Sequence, residues 1–196
     1  MEVRDDPRRG DALTVTTWAR RFDRVMALRE FEVWDPAGHL VAAATSRWVV
    51  VDLAARRVVR LPEFIRRLPV ADRPQALQGA DGELPRPAAP AIEKRFRVHR
   101  SDLDAARHLN NTRYVEWSLE AVPDECWDRC RLRGFEIVFR RESLYGDTLR
   151  AAAAALTTGA APAFAHLLER ERDGEEVARA VSRWAAGDPP RALPAG

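Results

Sequence analysis

The sequence predicts an α+β protein in which antiparallel β-sheet is laid down twice and one buried helix belongs to the second copy. Three observations lead there. A long stretch repeats at a fixed spacing of 136 residues, as in Trp48 and Trp184. Each copy is rich in strand formers broken by turn sequences. One helical segment, residues 111–122, is apolar on most of its faces, so it must be covered.

The duplication rests on two blocks. Gly38-His-Leu-Val41-Ala42-Ala-Ala44-Thr-Ser46-Arg47-Trp48 aligns with Gly174-Glu-Glu-Val177-Ala178-Arg-Ala180-Val-Ser182-Arg183-Trp184, and seven residues coincide. Upstream, Gly10-Asp11-Ala-Leu13 aligns with Gly146-Asp147-Thr-Leu149, and Arg4 with Arg140; downstream, Asp52 aligns with Asp188. No gap is needed between them. Residues 1–52 and 137–188 are therefore read as copies of one unit.

Each copy reads as a three-strand meander. Residues 14–18 are β-branched and aromatic. Residues 27–34 run into Asp35-Pro-Ala-Gly38, a turn sequence, and residues 40–51 resume the strand. In the second copy, residues 151–156 are Ala-rich and alone would suggest helix, but their register with residues 15–20 assigns them to a strand. Between the copies, residues 61–68 suggest a short helix. Residues 69–90, rich in Pro, Gly and Ala, suggest a linker, and residues 91–98 a strand. The helix over 111–122 stops at Pro123, which lacks the N–H a helix needs. The expected organisation is a partial first repeat (1–68), a linker (69–90), a full second unit (91–188) and a tail (189–196). The first repeat has a meander but no helix of its own.

Composition narrows the function. The chain has 196 residues, with Lys+Arg 32 against Asp+Glu 30 and a net charge of +2. That balance, with basic residues scattered, gives no footprint for nucleic acid. No apolar run approaches the ~20 residues of a membrane span. The start, Met-Glu-Val-Arg-Asp-Asp, has no apolar signal region, which makes the cytoplasm the expected location. Cys126 and Cys130 with His39, His99 and His166 give no zinc spacing, so two free thiols are expected.

The chemistry concentrates in Asp104-Ala-Ala-Arg-His108-Leu-Asn110-Asn111-Thr-Arg-Tyr114, just before the buried helix. Asn is a preferred N-cap, and the first-turn amides with the helix dipole favour negative charge. An acid and an imidazole at that end suit work on a carbonyl whose oxygen points at the helix. Asp104 equally suits capping a turn, and Tyr114 and Trp117 read most simply as core. Trp48 and Trp184 read as structural.

Arg100-Ser-Asp-Leu-Asp104-Ala-Ala-Arg-His108-Leu-Asn-Asn-Thr-Arg-Tyr114-Val-Glu-Trp117, followed by Phe139-Arg-Arg-Glu142-Ser143, resembles the acyl-ACP thioesterases of plants and bacteria. Thr17-Trp18, Trp48-Val-Val-Val-Asp52 and Arg56-Arg57-Val-Val-Arg-Leu61-Pro62 resemble the family's N-terminal half. The resemblance implies a hotdog fold, a curved antiparallel sheet wrapped round a central helix, here as an incomplete double hotdog lacking the first strand and helix of its N-terminal unit. It implies hydrolysis of a fatty acyl thioester on acyl carrier protein or CoA, with no metal or organic cofactor. By the same resemblance Asp104, His108 and Glu142 are catalytic: Asp104 as base or nucleophile, His108 orienting the acid or passing a proton to the leaving thiolate, Glu142 activating water from the strand after the helix. Asn110 and Asn111 form the helix N-terminus facing the oxyanion. Arg20-Arg21 and Arg66-Arg67 are candidate contacts for the acidic carrier.

Three departures qualify the resemblance. Ala106 stands where the family usually carries Asn, Ser143 stands where plant members carry Cys, and the first helix is absent. A non-catalytic acyl-thioester binder is the alternative that Ala106 raises. The missing elements are supplied either by sequence upstream of Met1 or by a second copy in a homodimer.

Overall fold

The computed structural model describes residues 1–7, 10–52, 54–55, 57–77, 82–88 and 92–187. Arg56, the first residue of the strand expected at 91–98, Asp188 and the expected tail lie outside the described residues. The chain divides into two compact units, Met1–Asp81 and Gly82–Gly196. No helix among the described residues is long and apolar enough to cross a membrane.

Unit 1 holds β1 (Glu2–Val3), β2 (Thr14–Phe22), β3 (Met26–Trp34), β4 (Leu40–Asp52), β5 (Arg57–Val59) and the single-turn α1 (Glu63–Arg66). β2, β3 and β4 form the expected antiparallel meander, while β1 and β5 pair with the two ends of β4. Unit 2 holds β6 (Ile92–Arg97), a 3₁₀ turn (Arg100–Asp102), α2 (Asn111–Leu119), α3 (Asp124–Arg129), β7 (Cys130–Phe139), β8 (Thr148–Thr157), β9 (Ala163–Arg170) and β10 (Glu175–Ala186). Its antiparallel strands lie in the order β7-β10-β9-β8-β6, with α2 packed across β8, β9 and β10. The helix expected over 111–122 ends sooner, at Leu119. Pro123 stops α2 and then serves as the N-cap of α3, a position where its fixed φ and missing N–H cost little.

The duplication is visible atom by atom. Arg4 and Asp5 both donate their backbone N–H to the Val41 carbonyl, at 2.8 and 3.2 Å. Arg140 and Arg141 do the same to Val177, at 2.9 and 3.2 Å. Trp48 Nε1 donates to Ser46 Oγ as Trp184 Nε1 does to Ser182 Oγ. Gly10, Gly146, Gly38 and Gly174 all take positive φ, which explains why glycine recurs at those turns. β1 pairs with β4 in the register of the last two residues of β7 on β10.

One expectation needs correction. The constant spacing holds for β2 against β8 and for β4 against β10, but the middle strand slips by one residue. Glu30 lies between Trp18 and Thr45, and the matching row of unit 2 is Ala154, Ala165 and Val181. His166, 136 residues after Glu30, instead pairs with Ala153 and Ala180. A hairpin one residue shorter and the next one residue longer cancel in the sequence, so no gap shows. A one-residue slip turns a strand's side chains to the opposite face. Glu30 and His166 therefore look to opposite sides of their sheets.

On the α2 side of unit 2, Tyr114 and Trp117 pack on Leu149, Ala151, Ala153, Leu168 and Ala178. Trp117 stacks on Phe96 with centroids 5.0 Å apart. His166 is fully buried on this side, with Nε2 2.8 Å from Ser182 Oγ. The corresponding side of unit 1 carries Val15, Phe31, Ala44 and Trp48, and among the described residues of unit 1 no helix equivalent to α2 covers it. Val15 is 61% and Trp48 58% exposed, whereas Trp184 is 3% exposed.

The other side of unit 1 is covered by part of the expected linker. Ala71 N–H donates to Ala19 O at 3.0 Å, and the Arg73 guanidinium lies 4.1 Å over the Trp18 ring. Glu30, fully buried, accepts from Thr45 Oγ1 at 2.6 Å and from Ala76 N–H at 3.2 Å, and it lies 2.7 Å from Arg20 Nε. Further along, Arg179 donates to the Leu84 carbonyl and Arg86 pairs with Glu169. Both ends of the connecting segment are thus tied to sheet rather than slack.

Two stability measurements follow. Removing one partner of a buried ion pair strands the other charge, so Glu30→Ala is expected to cost about 3–5 kcal/mol in urea unfolding and to open residues 71–76 to protease. A cost below about 1 kcal/mol would show that the cluster carries no stability. Burial, partly offset by the Ser118 backbone, lowers the His166 pKa from 6.5 to about 4. Between those values the unfolded chain binds the proton and the folded chain does not. The contribution of His166 is therefore complete above about pH 6.5 and is lost as pH falls toward 4, by up to about 3 kcal/mol. Unfolding of His166→Gln should lack that part of the slope.

Candidate active site

The candidate site is built from two loops of unit 2. The first runs from the 3₁₀ turn to α2. Leu103 pairs with Leu109 as an isolated bridge, closing a tight turn between them. Asp104 N–H donates to His108 O at 2.8 Å, and Asp104 Oδ1 accepts from Ala106 N–H at 2.8 Å and His108 N–H at 3.1 Å. Asp104 is exposed and caps its own turn with one oxygen, the turn role that its residue type allowed. Its Oδ2 makes no hydrogen bond among the described residues. Arg107 sits at φ 63° in this turn, a backbone region that a non-glycine residue adopts at a cost.

The second loop joins β7 to β8 and carries Glu142. This corrects the expectation of a strand: β7 ends at Phe139, and Glu142 lies three residues beyond it. The two loops are laced together. Leu109 N–H donates to Ser143 O at 2.9 Å, and His108 bridges to Leu144. The lacing brings His108 Nε2 to 3.7 Å from Glu142 Oε2, beyond hydrogen-bond length. Asp104 meets His108 through its main chain. Ser143 is fully buried behind this pair, beside the Tyr114 phenol, whose pKa is raised chiefly by burial.

At the helix entrance the two asparagines have different roles. Asn110 is the N-cap and accepts from Thr112 N–H at 3.0 Å and from the Thr112 hydroxyl at 2.9 Å. Asn111 is the first helical residue and is exposed. Arg113 N–H is already bonded to Asn110 O. Among the described residues this leaves Asn111 N–H as the first-turn amide without an acceptor in the chain.

Sequence reasoning missed the supports of this entrance. Asp102 is buried, accepts from His99 N–H at 2.8 Å and pairs with Arg113 at 3.1 Å. Its carbonyl receives Asn110 N–H at 2.9 Å. The His99-x-x-Asp102 spacing, an acid three residues into a helical turn, was the signal available. Of the arginines expected to meet a carrier, Arg20 is bound to buried Glu30, Arg21 to Asp23 and Arg67 to Glu63.

Two open hollows, one of 410 Å³ beside Arg24 and Arg57 and one of 480 Å³ beside Glu93 and Arg150, contain none of Asp104, His108 or Glu142. Among the described residues no group of three or more His, Cys, Asp or Glu could hold a metal ion. Cys126 and Cys130 are buried free thiols. Asp104 and Glu142 are exposed and His108 is half-buried.

Residues 86–186 match the acyl-ACP thioesterase C-terminal domain, and residues 1–68 match the acyl-ACP thioesterase N-terminal domain. The chain belongs to the acyl-ACP thioesterase family. It is 28% identical over 187 residues to a palmitoyl-acyl carrier protein thioesterase of Cuphea hookeriana, covering 91% of this chain and 45% of that protein. It is 30% identical over 198 residues to a dodecanoyl-[acyl-carrier-protein] hydrolase of Cinnamomum camphora, covering 91% and 49%. The chain spans about half the length of these curated relatives. Among solved structures, the 12:0-ACP thioesterase from Umbellularia californica aligns with a TM-score of 0.79 at 25% identity, over 95% of this chain and 70% of that one. An acyl-ACP thioesterase from Bacteroides thetaiotaomicron aligns with a TM-score of 0.79 at 24% identity, over 93% and 72%. In unit 2 the antiparallel sheet packs on α2 as in the hotdog fold, while among the described residues of unit 1 the sheet has no helix equivalent to α2.

The two asparagines are separable by measurement. Asn110→Ala should cost about 1 kcal/mol in unfolding free energy, the usual loss for an N-cap. Asn111→Ala should stay within about 0.5 kcal/mol, as for an exposed surface position. Equal costs would contradict the assignment of the cap to Asn110.

Proposed function

We propose that this chain hydrolyses fatty acyl-ACP to free fatty acid, with Asp104, His108 and Glu142 as its acid–base groups. The observation that carries the reading is the lacing of the two loops. It puts an imidazole and a carboxylate side by side at the entrance of α2 in a chain of the acyl-ACP thioesterase family.

The steps follow from the residues. The thioester carbonyl takes the N–H of Asn111, the amide that capping leaves open, and the helix dipole favours the charge that develops on its oxygen. Glu142 takes a proton from water as the oxygen adds to the carbonyl carbon. Asp104 is anchored by Oδ1 and offers Oδ2 to hold that water. As the C–S bond breaks, the proton taken up by Glu142 passes through His108 to the leaving thiolate. The gap of 3.7 Å between His108 and Glu142 leaves room to tighten around a bound substrate. The carrier is an acyl-ACP on the strength of the family, with acyl-CoA as the simpler test substrate. Two free thiols fit a reducing, cytoplasmic setting. A homodimer is a further proposal, supported by the uncovered apolar side of unit 1.

Ala106 favours one competing reading, a protein that binds acyl thioesters without cleaving them. Its side chain offers no donor where the family usually has an amide. Hydrolysis of acyl-ACP and acyl-CoA by the purified chain separates the two. We expect turnover, reduced about 10²–10⁴-fold by Glu142→Gln or His108→Ala, and strongly reduced by Asp104→Asn. Tight binding by calorimetry without turnover selects the binder. Activity undiminished in all three variants would falsify the assignment of these residues.

A further inference from the structure

We propose that Arg170, at the end of β9, is a positioning residue that holds Glu142 in place opposite His108, with the β9–β10 turn as its rigid mount. The inference rests on the functional reading above and adds a residue that acts through another. Arg170 Nη1 donates to the Glu142 main-chain carbonyl at 2.8 Å. Arg170 thus holds the Glu142 backbone, and the Glu142 carboxylate is left to face His108.

The guanidinium is itself fixed. Arg170 Nε reaches both oxygens of Asp173, at 3.1 and 2.9 Å, and Nη2 lies 2.8 Å from Asp173 Oδ2. Its side chain is only 11% exposed. The Arg170 hydrogen bond, the largest influence, holds the Asp173 carboxyl down at about 2. Asp173 Oδ1 also accepts from Glu175 N–H at 3.2 Å, and Gly174 N–H returns to Arg170 O at 2.9 Å. The strut is therefore built into the hairpin, not extended from a loose surface chain.

The same turn grips the far end of the loop. Arg172 Nη1 lies 2.8 Å from Asp147 Oδ1, and Asp147 Oδ2 accepts from Leu144 N–H at 2.9 Å. With the Leu109 N–H bond to Ser143 O, Glu142 and Asp147 are held by the β9–β10 turn, and Ser143 and Leu144 by the loop of His108. An arginine suits the first grip because its planar fork serves two acceptors in fixed directions. A lysine in its place is a point charge on a flexible stem and cannot hold both the carbonyl and Asp173 in that geometry. Misplacing a reacting group by about 1 Å can cost about 10²-fold in rate.

The test uses the full chain as Arg170→Met, Arg170→Lys and Asp173→Asn. Hydrogen–deuterium exchange should speed up at least tenfold in peptides spanning residues 142–147 of Arg170→Met, with β8 and β10 still protected. In acyl-ACP hydrolysis, kcat should fall 10–100-fold with KM within twofold. Arg170→Lys should recover part of that loss, and Asp173→Asn should lie between wild type and Arg170→Met. Unchanged exchange in 142–147 refutes the clamp whatever the activity. Faster exchange with unchanged kcat refutes the positioning role. A parallel rise of KM, or loss of protection throughout β8 and β10, marks Arg170 as a general structural residue and also overturns the proposal. A wild type that hydrolyses nothing overturns the functional reading instead, and the exchange data still decide the clamp.

Discussion

Clearance beneath α2 is the constraint from which the rest of unit 2 follows. Tyr114 and Trp117 are large, and the strands that receive them offer Ala151, Ala153 and Ala178. Alanine is a poor strand former, so β8 gives up local preference to make room for the helix. Close packing of that kind leaves little freedom to either side. It fixes where α2 begins, and therefore where Asn110, the turn before it and the loop after β7 must lie. Buried His166 with Ser182, and Ser118 on the helix, put polar groups into the same packed layer. A neutral imidazole can be accommodated there, and a charged one cannot without cost.

The site's precision comes from main-chain bonds more than from side-chain pairing. His108 and Glu142 approach within 3.7 Å because the Leu109 N–H bond to Ser143 O and the His108–Leu144 bridge hold the two loops together. Asp104 spends one oxygen on holding its own turn. In isolation that is the behaviour of a structural aspartate. A carboxylate fixed by one oxygen and open at the other is also pre-oriented, which is what a group acting on a bound water requires. The two roles are compatible in one side chain.

The duplication gives the two units the same scaffold and different interiors. In unit 2 the indole of Trp184 meets Trp127 of α3 and is covered. In unit 1 the equivalent Trp48 makes the same hydrogen bond to its serine and stays exposed. The opposite side of unit 1 has replaced the small apolar row Ala154, Ala165 and Val181 with Trp18, Glu30 and Thr45. That replacement anchors the connecting segment through Ala76 and Arg73, so a stretch whose Pro, Gly and Ala content suggested a tether acts as a covering layer. Among the described residues, the side of unit 1 that carries Val15 and Trp48 stays exposed.

Much of this was determined by the sequence alone. The spacing of Trp48 and Trp184 and of the paired glycines fixed the duplication, because turn geometry demands particular residues at particular places. It also fixed β8 as a strand against the helical preference of its alanines. The Asp104–Asn111 motif carried the turn and the helix cap of the candidate site, because capping and turn chemistry are local. What the sequence could not carry was non-local. The slip of the middle strand cancels between two hairpins and leaves no gap to read, yet it decides which face Glu30 occupies. The resemblance put Glu142 on a strand, but the pairing of β7 with β10 ends that strand at Phe139. The roles of Asp102, Asp147 and Arg170 depend on partners distant in the sequence, such as Glu142 for Arg170 and Arg172 for Asp147. A charged side chain's partner is chosen by where the folded sheet brings it, and only the tertiary structure decides that.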